Sequence, residues 1–181
     1  MLSPGSNSGE TLLAVISSFS LASSASFTPR LSAMRGSSRR TVRLNWLLLT
    51  KRPENIAGFY RGREIPFNVW LGTSVESQEY AVKRIPHLLS NDCAVRFLSC
   101  EPLLGPLDLR EYLGRNKINW IIVGGESGPG WRPMNPEWVR DIREQCQEAG
   151  VPFFFKQYNA LHPHKLGRVL DGKEWNGVPV L

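Results

Sequence analysis

Five apolar runs recur along this chain at nearly constant spacing, and a charged residue follows each of them. Lys51, Glu76, Glu101 and Glu126 lie 25 residues apart, and Lys156 comes 30 residues later. The runs occupy residues 45–50, 68–73, 94–100, 120–123 and 151–155. A continuous apolar run is typical of a strand that is covered on both faces, as in a parallel sheet. The spacing therefore predicts successive strand–helix units.

Helix signals lie between these runs. The clearest helix covers residues 135–149, with Asn135 as the N-cap, Pro136 at the first helical position and Gly150 after the last turn. A second helix is predicted over residues 77–89, with Tyr80, Ile85 and Leu88 facing inward and Pro86 bending or ending it. A short third helix is predicted over residues 107–113.

The fold class that we predict is α/β: a partial (βα) barrel of about five parallel strands with helical returns, the carboxyl-terminal part of a TIM-like barrel. An open five-stranded sheet is the alternative. A closed barrel has eight strands and typically ~250 residues, so three more units would need about 75 residues upstream. Only 44 residues precede the first run. Residues 45–50 would then form an unpaired edge, which we expect another chain to cover.

The chain divides into three parts. Residues 1–44 are rich in Ser and Arg and nearly free of acidic residues, residues 45–160 hold the partial barrel, and residues 161–181 form a tail with a hairpin turn at Asp171-Gly172. The first part fits an organellar presequence, a disordered tail, or non-native sequence from a displaced start or a frame change. We favour the non-native interpretation, because the strand count implies that barrel units are missing.

The net charge of +6 is concentrated in residues 1–44, which carry five arginines and one glutamate. Nucleic-acid binding is therefore weakly supported by composition. The three cysteines show no paired spacing, so neither a metal site nor a disulfide framework is predicted. No apolar run approaches the ~18 residues that a membrane span needs. We expect a cytoplasmic protein without a membrane partner.

The charged residues that follow the strands are expected to meet at the carboxyl edge of the sheet, where α/β folds bind ligands. Lys51, Arg52 and Lys156 suit a carboxylate or phosphate, and the glutamates suit ribose hydroxyls or an ammonium group. We predict a small-molecule site there. Its catalytic candidates are Glu101, Glu126 and Lys156, and its ligand-binding candidates are Lys51, Arg52, Ser74, Glu76, Gly124, Gly125 and Ser127. The glycines would let a ligand approach the backbone closely.

Long motifs between residues 45 and 179 resemble the phage gene-product thirty-seven/sixty-eight family, which has no assigned function. They are LLLTKRPE, NVWLGTSVESQ, RFLSCEPLLGPLDL, NWIIVGGESGPGWRPMNPEWVRDIREQCQEAGVPFFFKQ and GRVLDGKEW. Complete members are similar to radical S-adenosylmethionine enzymes, so the resemblance implies S-adenosylmethionine and a [4Fe-4S] cluster held by three cysteines for a full-length relative. Residues 1–44 contain no cysteine. The resemblance thus implies a truncated member that has no cofactor of its own and no cluster-dependent activity.

Two other functions fit the sequence. Basic residues permit a nucleic-acid-binding module; they are Arg52, Arg61, Arg63, Lys83 and Arg84. The three glutamates also suit a Mg²⁺- or Mn²⁺-dependent hydrolase, although no Asp-x-Asp or His-x-Asp pair accompanies them. We rank the hydrolase last.

Overall fold

A parallel sheet of six strands forms the centre of the molecule. The computed structural model describes residues 13–16 (backbone only), 45–162 and 167–180. The strands are β1 (Leu13–Ile16), β2 (Asn45–Thr50), β3 (Val69–Ser74), β4 (Arg96–Cys100), β5 (Trp120–Gly124) and β6 (Phe153–Gln157). They lie in the order β1-β2-β3-β4-β5-β6, and all five pairings are parallel. The prediction of a parallel α/β sheet is confirmed.

Helices connect most of the strands. They are α1 (Ile56–Tyr60), α2 (Gln78–Leu89) and α3 (Pro136–Glu148). At the start of α3 the Asn135 side chain accepts a hydrogen bond from the Glu137 backbone N–H, and Gly150 beyond its end has a φ of +65°. Pro86 lies within α2, which continues to Leu89. The predicted helices over residues 135–149 and 77–89 are therefore present.

The predicted helix over residues 107–113 is wrong. Only a 3-10 turn, Arg110–Tyr112, forms there. The reason is that Gln145 of α3 binds the Leu107 carbonyl, which in a helix would accept from the N–H of residue 111. Gln145 also gives the Leu109 N–H a partner that the first turn of a helix would leave it without. Its side-chain oxygen accepts from the Leu109 N–H at 2.6 Å, and its side-chain nitrogen donates to the Leu107 carbonyl at 2.7 Å. The segment is thus a loop that α3 holds against the core.

The two faces of the sheet carry different cores. On one face, residues of α2 and α3 pack against alternate strand residues that include Leu71, Leu98 and Ile121. On the other face, which we call the inner face, no described helix contributes to the core. The inner-face core consists of Leu47, Trp70, Val95, Phe97 and Trp120. This one-sided arrangement follows from connecting neighbouring parallel strands by crossovers of a single hand.

Neither β2 nor β6 has a free edge. β1 pairs with β2 from Leu13 opposite Asn45 to Ile16 opposite Leu48, so the expectation that residues 45–50 are unpaired is wrong. On the far side, the Phe155 N–H donates to the Trp175 carbonyl, and the Gly177 N–H donates to the Phe153 carbonyl. The carboxyl-terminal segment therefore continues the sheet beyond β6.

The predicted hairpin is confirmed. Strands β7 (Val169–Leu170) and β8 (Lys173–Glu174) pair antiparallel around Asp171 and Gly172, which both have positive φ. Asp171 accepts hydrogen bonds from Arg140 and Arg143 of α3, so the hairpin is attached to that helix. None of the helices in the described part of the chain is long and apolar enough to cross a membrane.

Candidate functional site

The five charged residues that follow the apolar runs share one edge of the sheet. Lys51 and Glu101 come directly after β2 and β4, and Glu76 and Glu126 come two residues after β3 and β5. Lys156 is the last but one residue of β6, so all five lie at the carboxyl ends of parallel strands. The prediction that they gather at the carboxyl edge agrees with this geometry.

Each glutamate of the edge has a basic partner. Lys51 lies 2.6 Å from Glu76, and Lys156 lies 2.9 Å from Glu101. Glu126 pairs with a residue of its own loop, Arg132, at 2.6 Å. The edge therefore carries ion pairs in place of isolated carboxylates.

Glu76 is the most buried member, with a side chain that is 7 % exposed. Arg84 of α2 donates from Nη1 to Glu76 Oε2 at 2.7 Å and to the Ser74 carbonyl at 2.8 Å. Burial alone would raise the pKa of Glu76, but the hydrogen bond from Lys51 and the charge of Arg84 outweigh it and hold the pKa below its ordinary value. Glu76 is therefore a carboxylate shared between two cations.

Glu126 and Arg132 form a bidentate pair. Arg132 donates from Nε at 2.8 Å and from Nη2 at 2.6 Å, and its backbone N–H donates to the same carboxylate at 2.9 Å. The side-chain hydrogen bond from Arg132, assisted by the backbone one, lowers the pKa of Glu126 to about 2. Glu126 is thus ionised throughout the physiological pH range.

A cleft of about 310 Å³, called the edge cleft below, lies among these pairs. It is lined by Lys51, Glu76, Tyr80, Pro102, Leu104, Glu126 and Arg132. Backbone hydrogen bonds hold its apolar wall, because the Leu103 N–H donates to the Gly124 carbonyl and the Leu104 N–H donates to the Glu76 carbonyl. The edge cleft thus combines two cations, two carboxylates and a wall of apolar and aromatic groups.

The protein itself uses the space that its two edge glycines leave. A Cβ on Gly125 would lie 2.2 Å from the Asn159 backbone nitrogen, and a Cβ on Gly124 would lie 3.3 Å from Glu101 Cδ. The close approach that the sequence predicted for a ligand is therefore made by Asn159 and Glu101.

Five of the seven predicted binding residues lie outside the lining of the edge cleft: the two glycines, Arg52, Ser74 and Ser127. Arg52 is exposed and pairs with Glu54 at 3.2 Å. Ser74 is buried, and its carbonyl accepts from Arg84. Ser127 is exposed and forms a bridge with Ala160. Of the predicted set, the structure brings Lys51, Glu76 and Glu126 together around the edge cleft, with Glu101 and Lys156 paired beside Gly124.

Sequence reasoning missed the roles of Tyr80, Arg84 and Arg132 in this site. Tyr80, predicted to face the core, lines the edge cleft and stacks under the Arg84 guanidinium at 4.0 Å. The spacing of four residues between Tyr80 and Arg84 along a helix was the available signal. No sequence signal pointed to Arg132, because its contact with Glu126 depends on the path of a glycine-rich loop.

The cysteines of the chain do not fit the ligand set of an iron–sulfur cluster. Cys93 precedes β4 and donates to the Val95 carbonyl, whereas Cys100 ends β4, so the two lie at opposite ends of one strand. Cys146 is a buried residue of α3, and burial raises its pKa to about 12. Burial likewise raises the pKa of Cys100 far above its ordinary value. Among the described residues, no group of three His, Cys, Asp or Glu side chains is arranged to hold a metal ion.

The chain belongs to a family described as a protein of unknown function, DUF5131, which it matches over residues 25–179. The match covers the edge cleft, the sheet from β2 to β6 and residues 25–44 of the Ser/Arg-rich tract. No curated protein and no solved structure matches the chain.

Proposed function

We propose that the edge cleft binds a small polar ligand that offers both hydrogen-bond donors and an anionic group. The observation that carries this proposal is the convergence of Lys51, Glu76, Glu126 and Arg132 on one cleft at the carboxyl edge of a parallel sheet. Donors of the ligand would face the glutamates, and its anionic group would face Lys51 and Arg132. Tyr80 and the Pro102–Leu104 wall supply apolar contact area for the rest of the ligand.

The sheet is proposed to be part of a TIM-like barrel. In a doubly wound sheet the strand order reverses and helices cover both faces. Here the order runs from β1 to β6 without reversal, and helices α2 and α3 pack on one face only among the described residues. The aromatic inner face would correspond to the interior of the barrel, where layers of side chains fill the space.

S-adenosylmethionine is the ligand that we propose to test first. The motifs of this chain resemble a radical-S-adenosylmethionine-like phage family, and the molecule offers an ammonium group, ribose hydroxyls and a carboxylate. Because the cysteines do not fit a cluster, the proposal is binding without reductive cleavage. The carboxylate-metal hydrolase is less well supported, since each glutamate of the edge already pairs with its own cation.

Calorimetric titration with S-adenosylmethionine tests this proposal. The wild-type chain is expected to give saturable binding, and Glu126→Gln is expected to weaken it about tenfold or more, because a charge-assisted hydrogen bond is lost. Glu137→Gln is the matched control. Glu137 is an exposed carboxylate that also pairs with an arginine, Arg140, but it lies at the start of α3 outside the lining of the edge cleft.

Two results would contradict the proposal. One is the absence of saturable binding at millimolar ligand. The other is an equal loss of affinity in Glu126→Gln and Glu137→Gln, which would mean that the binding reflects total charge and not the edge cleft.

A further inference from the structure

A second cleft borders the Lys51–Glu76–Arg84 group and differs from the edge cleft in charge. It has a volume of about 520 Å³ and is lined by Lys51, Arg52, Glu54, Lys83, Arg84 and His87. We call it the basic cleft. Its lining includes four permanent cations and one carboxylate, whereas the lining of the edge cleft includes two cations and two carboxylates. The residues come from the segment after β2 and from α2, so the fold brings together cations that are distant in sequence.

The positive charge of the basic cleft is not balanced within the described part of the chain. Glu54, its one carboxylate, pairs with Arg52 at 3.2 Å. Lys51 and Arg84 share the single carboxylate of Glu76. Lys83 is exposed and forms no ion pair with any described residue. Cations gathered in a concave site repel one another and concentrate the local field, so the arrangement favours a bound anion.

We propose that the basic cleft binds a phosphate group. The guanidinium of Arg52 matches two phosphate oxygens at once, and Lys83 adds a mobile point charge. Among the described residues, the four cations face only the carboxylates of Glu54 and Glu76, which leaves an excess of two positive charges. A phosphate carries up to two negative charges, so it matches this excess better than a single carboxylate does. Two sources offer this chemistry: a small polyphosphate-bearing molecule and the backbone of a nucleic acid.

Titration with two probes separates these sources. Inorganic pyrophosphate represents the small molecule, and a fluorescent single-stranded thymidine oligonucleotide represents the nucleic acid. The double variant Arg52→Ala/Lys83→Ala is expected to lose at least about tenfold in affinity for the probe that binds, because charge-assisted hydrogen bonds are removed. Its matched control is Arg115→Ala/Lys117→Ala, which removes the same charge from exposed positions outside both clefts.

The outcomes are distinct. Selective loss of pyrophosphate binding in the cleft variant supports a small phosphorylated ligand. Selective loss of oligonucleotide binding, with affinity that falls steeply with salt, supports a nucleic-acid backbone. Equal loss in the cleft variant and the control, or no binding of either probe to the wild type, would overturn the proposal. Neither variant touches the carboxylates of the edge cleft, so this result is independent of S-adenosylmethionine binding.

Discussion

Lys156 of β6 donates to Glu101 at the end of β4, and the pair crosses the intervening strand at Gly124. The two side chains lie 2.9 Å apart, and a Cβ on Gly124 would come within 3.3 Å of Glu101 Cδ. Glycine at this position therefore leaves room for an ion pair that bridges two non-adjacent strands. At the next residue, Gly125, the absence of a Cβ likewise leaves room for the backbone of Asn159.

Replacing Gly125 by Ala is expected to destabilise the fold by about 1–3 kcal/mol, the usual cost of overpacking. The new Cβ would lie 2.2 Å from a backbone nitrogen, which cannot move as a side chain can. Urea denaturation measures the change. Gly58→Ala in α1 is the control: beyond its own helix backbone and chain neighbours, no atom lies within 4 Å of the place that the new Cβ would take. This control should be neutral or stabilising by up to about 1 kcal/mol.

An Arg84→Ala substitution is expected to cost about 1–3 kcal/mol of unfolding free energy, because Glu76 Oε2 and the Ser74 carbonyl lose a hydrogen-bond donor while Lys51 still compensates the charge of Glu76. Arg84 is 11 % exposed and also satisfies the Ser74 carbonyl. Arg110→Ala is the comparison, since Arg110 pairs with Asp108 on the surface with a side chain that is 52 % exposed. The Arg110→Ala substitution should lower the free energy of unfolding by at most about 1 kcal/mol. Equal costs for the two variants would contradict the role assigned to Glu76.

The Glu126 carboxyl group is expected to titrate with a pKa of about 2 in the wild-type chain. Its folded-state pKa lies below the ordinary value of about 4.3, so the pair with Arg132 stabilises the fold at pH values above that value. This stabilisation is lost as the pH falls from about 4.3 through about 2. Carbon-detected NMR of the Glu126 carboxyl measures the midpoint directly.

In Arg132→Gln the midpoint should return toward its ordinary value, because the strongest donor to the carboxylate is gone. The carboxyl group of Asp171, whose pKa is held below its ordinary value by hydrogen bonds from Arg140 and Arg143, should titrate identically in both proteins and serves as the internal control. A Glu126 midpoint that is the same in both proteins would show that Arg132 does not hold the carboxylate.

The strands and the edge residues were predictable because both follow from local patterns. Buried parallel strands appear in sequence as continuous apolar runs, and a charged residue that follows such a run lies at the carboxyl end of a strand. The partners of the edge glutamates were not predictable. Glu101 pairs with Lys156 two strands away, while Glu126 is satisfied by Arg132 of its own loop. These choices depend on strand order and loop path, which no short sequence pattern contains.

The segment 107–113 and strand β1 are two further features that local sequence patterns did not predict. A short helix was predicted over residues 107–113, but tertiary hydrogen bonds from Gln145 of α3 occupy the Leu107 carbonyl and the Leu109 N–H. Strand β1 has only four residues and lies in a Ser-rich tract without a repeat, so its pairing with β2 left no signal in the spacing.

The most direct test of ligand binding at this edge is an amide NMR titration of the wild-type chain with S-adenosylmethionine. Binding in the edge cleft predicts saturable shifts that concentrate at its lining, including Leu104, Glu126 and Arg132, with little change at the α3 positions Glu137 and Glu144. Shifts that are absent, or that spread over the surface without saturating, would contradict the claim that this edge of the sheet is a ligand-binding site.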